Sequence, residues 1–122
     1  MQLTSLDPQP RSYAMGALVT GASRVLHVSG QVPAMPDGEV PDGFEAQCRL
    51  AWQNVLSVLD GAGMAIRNLV KVTIFLSDRQ FRGANSRIRH EVLGGHCPAL
   101  TVIITGIYDE AWLLEIEAIA AA

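Results

Sequence analysis

Apolar residues recur along this chain with two distinct periods, and the switches between them mark out the elements. Residues 12–20 (S-Y-A-M-G-A-L-V-T) and 24–29 (R-V-L-H-V-S) are short aliphatic runs that predict two strands. Gly21-Ala22-Ser23 between them is a hairpin-type turn signal, and Gly30-Gln31-Val32-Pro33 ends the second run. A turn-rich loop from Pro36-Asp37-Gly38 to Pro41 follows. Asp42 then reads as an N-cap, with Glu45 three residues on. Phe44, Cys48, Ala51, Trp52, Val55 and Leu59 come next at helical spacing and give one apolar face, which Gly61 and Gly63 terminate.

Leu69 to Leu76 returns to period two, with Val70, Val72, Ile74 and Leu76 on one face and Lys71, Thr73 and Phe75 on the other. Asp78 is placed to cap a second helix with the stripe Phe81, Ala84, Ile88 and Val92, ending at Gly94-Gly95. From Cys97 to Ala122 two β-branched runs flank Y-D-E-A and predict paired strands. In the last of them Glu115 and Glu117 share one face, opposite Ile116 and Ala118. Acids in such an apolar strand are costly to bury alone, so they should meet a cleft, an interface or a specific donor. The predicted order is β-β-α-β-α-β-β, an α+β layer of two helices on one sheet. No repeat, linker or low-complexity segment interrupts it, so residues 1–122 read as a single domain.

Composition narrows the classes. Hydrophobic residues make up 49% of the 122, and mean hydropathy is +0.24. That is high for a small monomer and points to buried subunit contacts. A net charge of −3 argues against nucleic acid as a partner. Cys48 and Cys97 form no disulfide framework, which fits a reduced, cytoplasmic setting. No secretory h-region and no apolar run of membrane-spanning length is visible.

Several short motifs occur in a familiar order. They are Tyr13 in the first run, Ser29-Gly30-Gln31-Val32-Pro33, and the helix carrying Gln47 and Asn54. Val70-Lys71-Val72-Thr73, Asn85, Pro98-Ala99 and Glu115-Ile116-Glu117-Ala118-Ile119-Ala120 follow. Together they resemble the RidA (YjgF) family of reactive-intermediate deaminases. The resemblance implies a chorismate-mutase-like α+β fold and a homotrimer built around a central barrel, with a small-molecule cleft between each pair of subunits. It also implies hydrolysis of enamines and imines, typically 2-aminoacrylate and related 2-imino acids, to 2-keto acid and ammonia without metal or organic cofactor.

Active members of the family anchor the substrate carboxylate on an arginine in a Pro-Ala-Arg-Ser/Thr motif. Here the motif reads Pro98-Ala99-Leu100-Thr101. Leucine offers neither charge nor hydrogen bond. Loss of a bidentate, charge-assisted contact costs roughly 10²-fold or more in binding. The expectation is an apolar cleft wall at Leu100 and little turnover of 2-aminoacrylate.

By the same resemblance Glu115 is the catalytic, water-handling carboxylate, and Tyr13, Ser29, Gly30, Asn85, Leu100 and Thr101 line the substrate site. Each has a plainer reading. Glu115 or Glu117 could pair with Lys71 or an arginine across a subunit interface. Tyr13 could be an amphipathic seam residue, Gly30 a turn, and Asn85 a tie to a loop backbone. Lys71 could form a Schiff base or an ion pair. Arg79, Arg82, Arg87 and Arg89 read as the solvated face of the second helix; one of them could replace the missing anchor only if the loop geometry moved, and the sequence shows no sign of that. His90, His96 and Cys97 lack zinc-type spacing, His27 reads as structural, and Cys48 as a buried small hydrophobe. Two functions stay open: a divergent imine hydrolase whose substrate has no adjacent carboxylate or anchors it elsewhere, and a non-catalytic binding or regulatory trimer. Ribonuclease activity is disfavoured, since no basic groove with interleaved aromatics is present.

Overall fold

The computed structural model describes all residues 1–122. Six strands form one mixed sheet: β1 (Gln2–Gln9), β2 (Tyr13–Thr20), β3 (Val25–Gln31), β4 (Leu69–Leu76), β5 (Ala99–Ile104) and β6 (Leu114–Ala121). Helices α1 (Phe44–Gly61) and α2 (Arg82–Leu93) cover one of its faces. The spatial order is β1-β2-β5-β4-β6-β3. The expected α+β layer of two helices on one sheet is therefore present, with one strand more than the hydrophobic pattern disclosed.

β4 lies between β5 (parallel) and β6 (antiparallel) and sets the two faces of the sheet. Leu69, Val72, Ile74 and Leu76 are fully buried under the helices. A register shift between Leu69 and Lys71 explains why Leu69, rather than Val70, takes the first core position. α1 supplies Cys48, Ala51, Trp52, Val55 and Leu59 to the same core, and β6 supplies Leu114, Ile116 and Ala118. Burial pushes the Cys48 thiol up to about 12.

Two expected strand pairings and one expected cap differ. The runs 12–20 and 24–29 do not make a hairpin. β2 pairs with β1 and β5, and β3 crosses to the far edge to pair with β6. β5 and β6 are likewise not partners, because β4 separates them. Asp42 does not cap α1. The N-cap is Gly43 at φ 84, and Glu45 instead accepts from Arg49 and Arg87. Asp78 does open the second helical segment, accepting from the Gln80 N–H at the 3₁₀ turn that leads into α2.

The β1–β2 hairpin turns through Arg11 and Ser12, both non-glycine residues at left-handed φ (68 and 63). That conformation is unfavourable for residues with a side chain, and α2 holds it in place. His90 Nδ1 and Ser12 Oγ are 2.8 Å apart. The Gly95 N–H donates to Ser12 Oγ at 3.0 Å, and Arg89 Nη2 donates to the Arg11 carbonyl at 3.1 Å. Arg89 is only 4% exposed, so the reading of it as part of a solvated face is corrected.

Removing Ile74 side-chain mass by Ile74→Ala should cost about 2–5 kcal/mol in denaturant unfolding. The Cys48 thiol should react with a disulfide reagent only in denaturant. Labelling of Cys48 in the native protein at pH 8 would contradict its burial.

Candidate functional site

Two polar α1 side chains fix the loops that flank the sheet's open face. Asn54 Nδ2 donates to the carbonyls of Val32 (2.9 Å) and Ala34 (3.2 Å), just beyond β3. Gln47 Nε2 donates to the Pro41 and Ala111 carbonyls, both at 3.1 Å, and its Oε1 accepts from the Leu113 N–H at 2.8 Å. The end of β3 and the start of β6 are thereby tied to one helix.

Between those ties lie Gly30 and Glu115. The β3–β6 register shifts between Val28 and Gln31, and Gly30 sits in that irregularity. A Cβ on Gly30 would overlap Glu115 Oε1 and come within 2.7 Å of its Cδ. Glycine is thus required for the approach of the carboxylate, not for a turn. The Glu115 carboxylate has no hydrogen bond or ion pair within the chain, and Ser29 beside it is exposed. Glu115 is opposite Phe75, which is opposite Ile103, so all three share the face without helices. Thr101 is on this face too, accepting a 2.6 Å hydrogen bond from Lys71 Nζ. Lys71 therefore meets a hydroxyl, and no carboxylate within the chain.

The other predicted residues collect elsewhere. Leu100 is opposite Val72 and points to the helix side, half-buried against the core. It does not stand beside Glu115 of its own chain. Tyr13 lies next to α2, with the Arg89 guanidinium 5.7 Å from its ring centroid. Asn85 is 2% exposed, yet it ties down no loop: its amide makes no hydrogen bond, and Oδ1 is buried without a partner. A hollow of about 130 Å³ opens there, lined by Leu76, Arg82, Asn85, Ser86, Arg89 and Val102. The largest hollow, about 420 Å³ near the end of α1, contains none of the predicted site residues.

The chain thus carries two candidate half-sites. One is Ser29, Gly30 and Glu115 on the open face. The other is Tyr13, Asn85 and Arg89 around α2. The sequence reading placed Arg89 among solvated arginines, whereas it is buried. Its one available signal was its position a single turn beyond Asn85, on the same side of the helix. The histidines have structural partners: His90 meets Ser12, and His96 Nε2 is 2.8 Å from the Leu69 carbonyl. No helix is long and apolar enough to cross a membrane.

Comparison with known proteins gives a consistent picture. A family model described as Endoribonuclease L-PSP matches residues 9–122. A RutC family protein of Haemophilus influenzae is 35% identical over 124 residues, covering 98% of this chain and 95% of the relative. The Escherichia coli protein TdcF, named as a reactive intermediate deaminase, is 27% identical over 121 residues, covering 94% of each chain. Its crystal structure with bound serine superposes with a TM-score of 0.76 at 26% identity, over 97% of this chain and 92% of that one. The fold also matches a Rid family protein of Yersinia pestis, with a TM-score of 0.87 at 22% identity over the whole of both chains. The chain belongs to the Endoribonuclease L-PSP family, which holds the RidA-type deaminases that its motifs resemble.

Proposed function

We propose that this chain is a divergent enamine and imine hydrolase, a deaminase whose substrate is not held by an arginine on β5. The observation that carries the reading is the unpartnered Glu115 carboxylate seated over Gly30. A side chain kept free of internal partners, at a position where any Cβ would displace it, suits proton transfer to a bound water better than it suits packing. The names of relatives such as TdcF support the same chemistry. In that reaction water adds to the C=N carbon while Glu115 takes its proton and delivers it to nitrogen. The resulting carbinolamine then expels ammonia and leaves the carbonyl compound. Tyr13, Ser29, Asn85 and the Gly30 N–H orient the substrate, and Leu100 and Thr101 on β5 complete the wall.

The two half-sites lie apart within one chain, which fits clefts formed between subunits of a homotrimer. So does the open face of the sheet, where Phe75, Ile103 and Ile119 are only partly covered. Cytoplasmic residence agrees with two unpaired cysteines. The ribonuclease in the family's description is disfavoured by the net charge of −3, and salt-dependent RNA binding would reverse that judgement. A second reading, a non-catalytic small-molecule-binding or regulatory trimer, is favoured by one observation: Leu100 packs against the core rather than presenting a polar group.

The test is ammonia release from imines generated in situ, by an amine oxidase (no carboxylate) and by an amino acid oxidase (2-imino acids). Wild type should accelerate release over buffer for at least one class, and Glu115→Gln should reduce that rate roughly 10²-fold or more. If no imine is hydrolysed faster than in buffer, the hydrolase reading fails and the binding trimer replaces it. Gly30→Ala should fold normally, because the overlapping atoms end a flexible side chain, and should lose activity to a similar degree. Full activity in Gly30→Ala would remove Glu115 from the reaction.

A further inference from the structure

Helix α2 presents a polar stripe toward β5. Arg82, Asn85, Ser86 and Arg89 stand at i, i+3, i+4 and i+7, so they are neighbours on one side of the helix. With the apolar walls Leu76 and Val102 they enclose the hollow of about 130 Å³. Val102 and Leu100 are alternate residues of β5 and face the same side of the sheet. The hollow therefore adjoins the strand position from which the family's arginine is missing.

Two properties of the hollow suit an anion, and a third suits a donor group beside it. First, Arg89 is 4% exposed and has no carboxylate partner, since all four ion pairs of the chain belong to Arg49 and Arg87. A guanidinium withdrawn from water without a counter-charge is costly. Burial lowers its proton affinity below the usual arginine range, against the opposing influence of Tyr13. Second, only one edge of Arg89 is engaged: Nε and Nη2 both donate to the Arg11 carbonyl, at 3.4 and 3.1 Å, and Nη1 has no acceptor. Third, Asn85 is 2% exposed and its Oδ1, an acceptor, is buried without a partner, so it calls for a donor on the same ligand. Buried amides are almost always satisfied. The plainer view of Arg89, a clamp on the Arg11–Ser12 turn, accounts for Nε and Nη2. It accounts for neither Nη1 nor the unsatisfied Asn85.

We propose that this hollow is the carboxylate anchor of the protein's ligand, with Arg89 Nη1 and Arg82 donating to the carboxylate and Asn85 Oδ1 accepting from an N–H or O–H group beside it. A guanidinium edge matches the planar, two-oxygen carboxylate, and the small volume with apolar walls admits that group with its first carbons. The positive charge absent at Leu100 is then supplied by the helix. The inference rests on reading the protein as a small-molecule site, and it narrows the substrate class to imines that carry a carboxylate.

The experiment is titration of the intact protein with propionate, pyruvate, propionamide and inorganic phosphate at fixed ionic strength, by calorimetry or amide chemical shifts. Propionate and pyruvate should bind, and propionamide should bind at least roughly tenfold more weakly. Asn85→Asp places a like charge in the hollow and should weaken carboxylate binding at least roughly tenfold. Arg82→Gln, an exposed position with little bearing on folding, should weaken it severalfold. Arg89→Lys, which keeps the charge and loses the fork, should also weaken it, with folding checked by circular dichroism. Absence of carboxylate binding to wild type, or binding unchanged in both Asn85→Asp and Arg82→Gln, overturns the proposal. Phosphate bound as tightly as propionate overturns the carboxylate assignment. Imine hydrolysis by wild type without carboxylate binding sinks the anchor alone, and carboxylate binding without hydrolysis of any imine sinks the hydrolase reading alone.

Discussion

The alternation of β4 is the constraint on which the rest of the molecule depends. One set of its side chains, Leu69, Val72, Ile74 and Leu76, is sealed beneath two helices, and the other set, Lys71, Thr73 and Phe75, is left on a face with no helix. Because β5 and β6 flank it, every residue on those strands inherits a side from its register with β4. Glu115 falls with Phe75 and Leu100 falls with Val72. The division of the candidate site into two groups is thus a consequence of strand pleat, settled before any loop takes its shape.

The helices then act on the two groups in different ways. α1 reaches over the sheet's rim with Gln47 and Asn54 and satisfies loop carbonyls, which fixes where Gly30 and Glu115 meet. α2 fastens a hairpin turn whose left-handed backbone would not persist unaided, and the same contacts bring Tyr13 against Arg89. Positioning in both places is achieved by side chain to backbone hydrogen bonds, each modest in net energy and costly to break when buried.

Much of this was legible in the sequence, and the illegible parts have physical reasons. Period-two and period-3.6 patterns gave both helices, five of the strands and the facing of Glu115 against Ile116, because burial imposes those periods directly. Strand partners were not legible. A pleat says which way a side chain points, not which neighbour lies alongside, so the adjacent runs at 12–20 and 24–29 suggested a hairpin, whereas the short link 21–24 leads instead to β3 at the far edge of the sheet. β1 went unread because Gln2–Gln9 contains Asp7 and Pro8 and is largely exposed at an edge, where little hydrophobic signal is needed. Asp42 had a capping residue's chemistry but lies one position too early. The family resemblance supplied Tyr13, Asn85 and Glu115 as candidates. It could not supply Arg89, whose burial follows from three-dimensional closure of a turn formed from residues 11 and 12. Gly30 stood out as a turn residue, and only the coordinates show that a carboxylate occupies the space its side chain would fill.

Arg89 serves the Arg11 carbonyl with one edge of its guanidinium, leaves Nη1 without an acceptor, and lines the hollow. A residue with two such obligations is poorly placed to drift. Most exchanges that might retune the hollow would also loosen an edge hairpin, and few alternatives offer a planar fork with two usable sides. Over evolutionary time, selectivity in this lineage would therefore be expected to change through Arg82, Ser86 and Val102, which can vary without unfastening the sheet, while position 89 stays comparatively still.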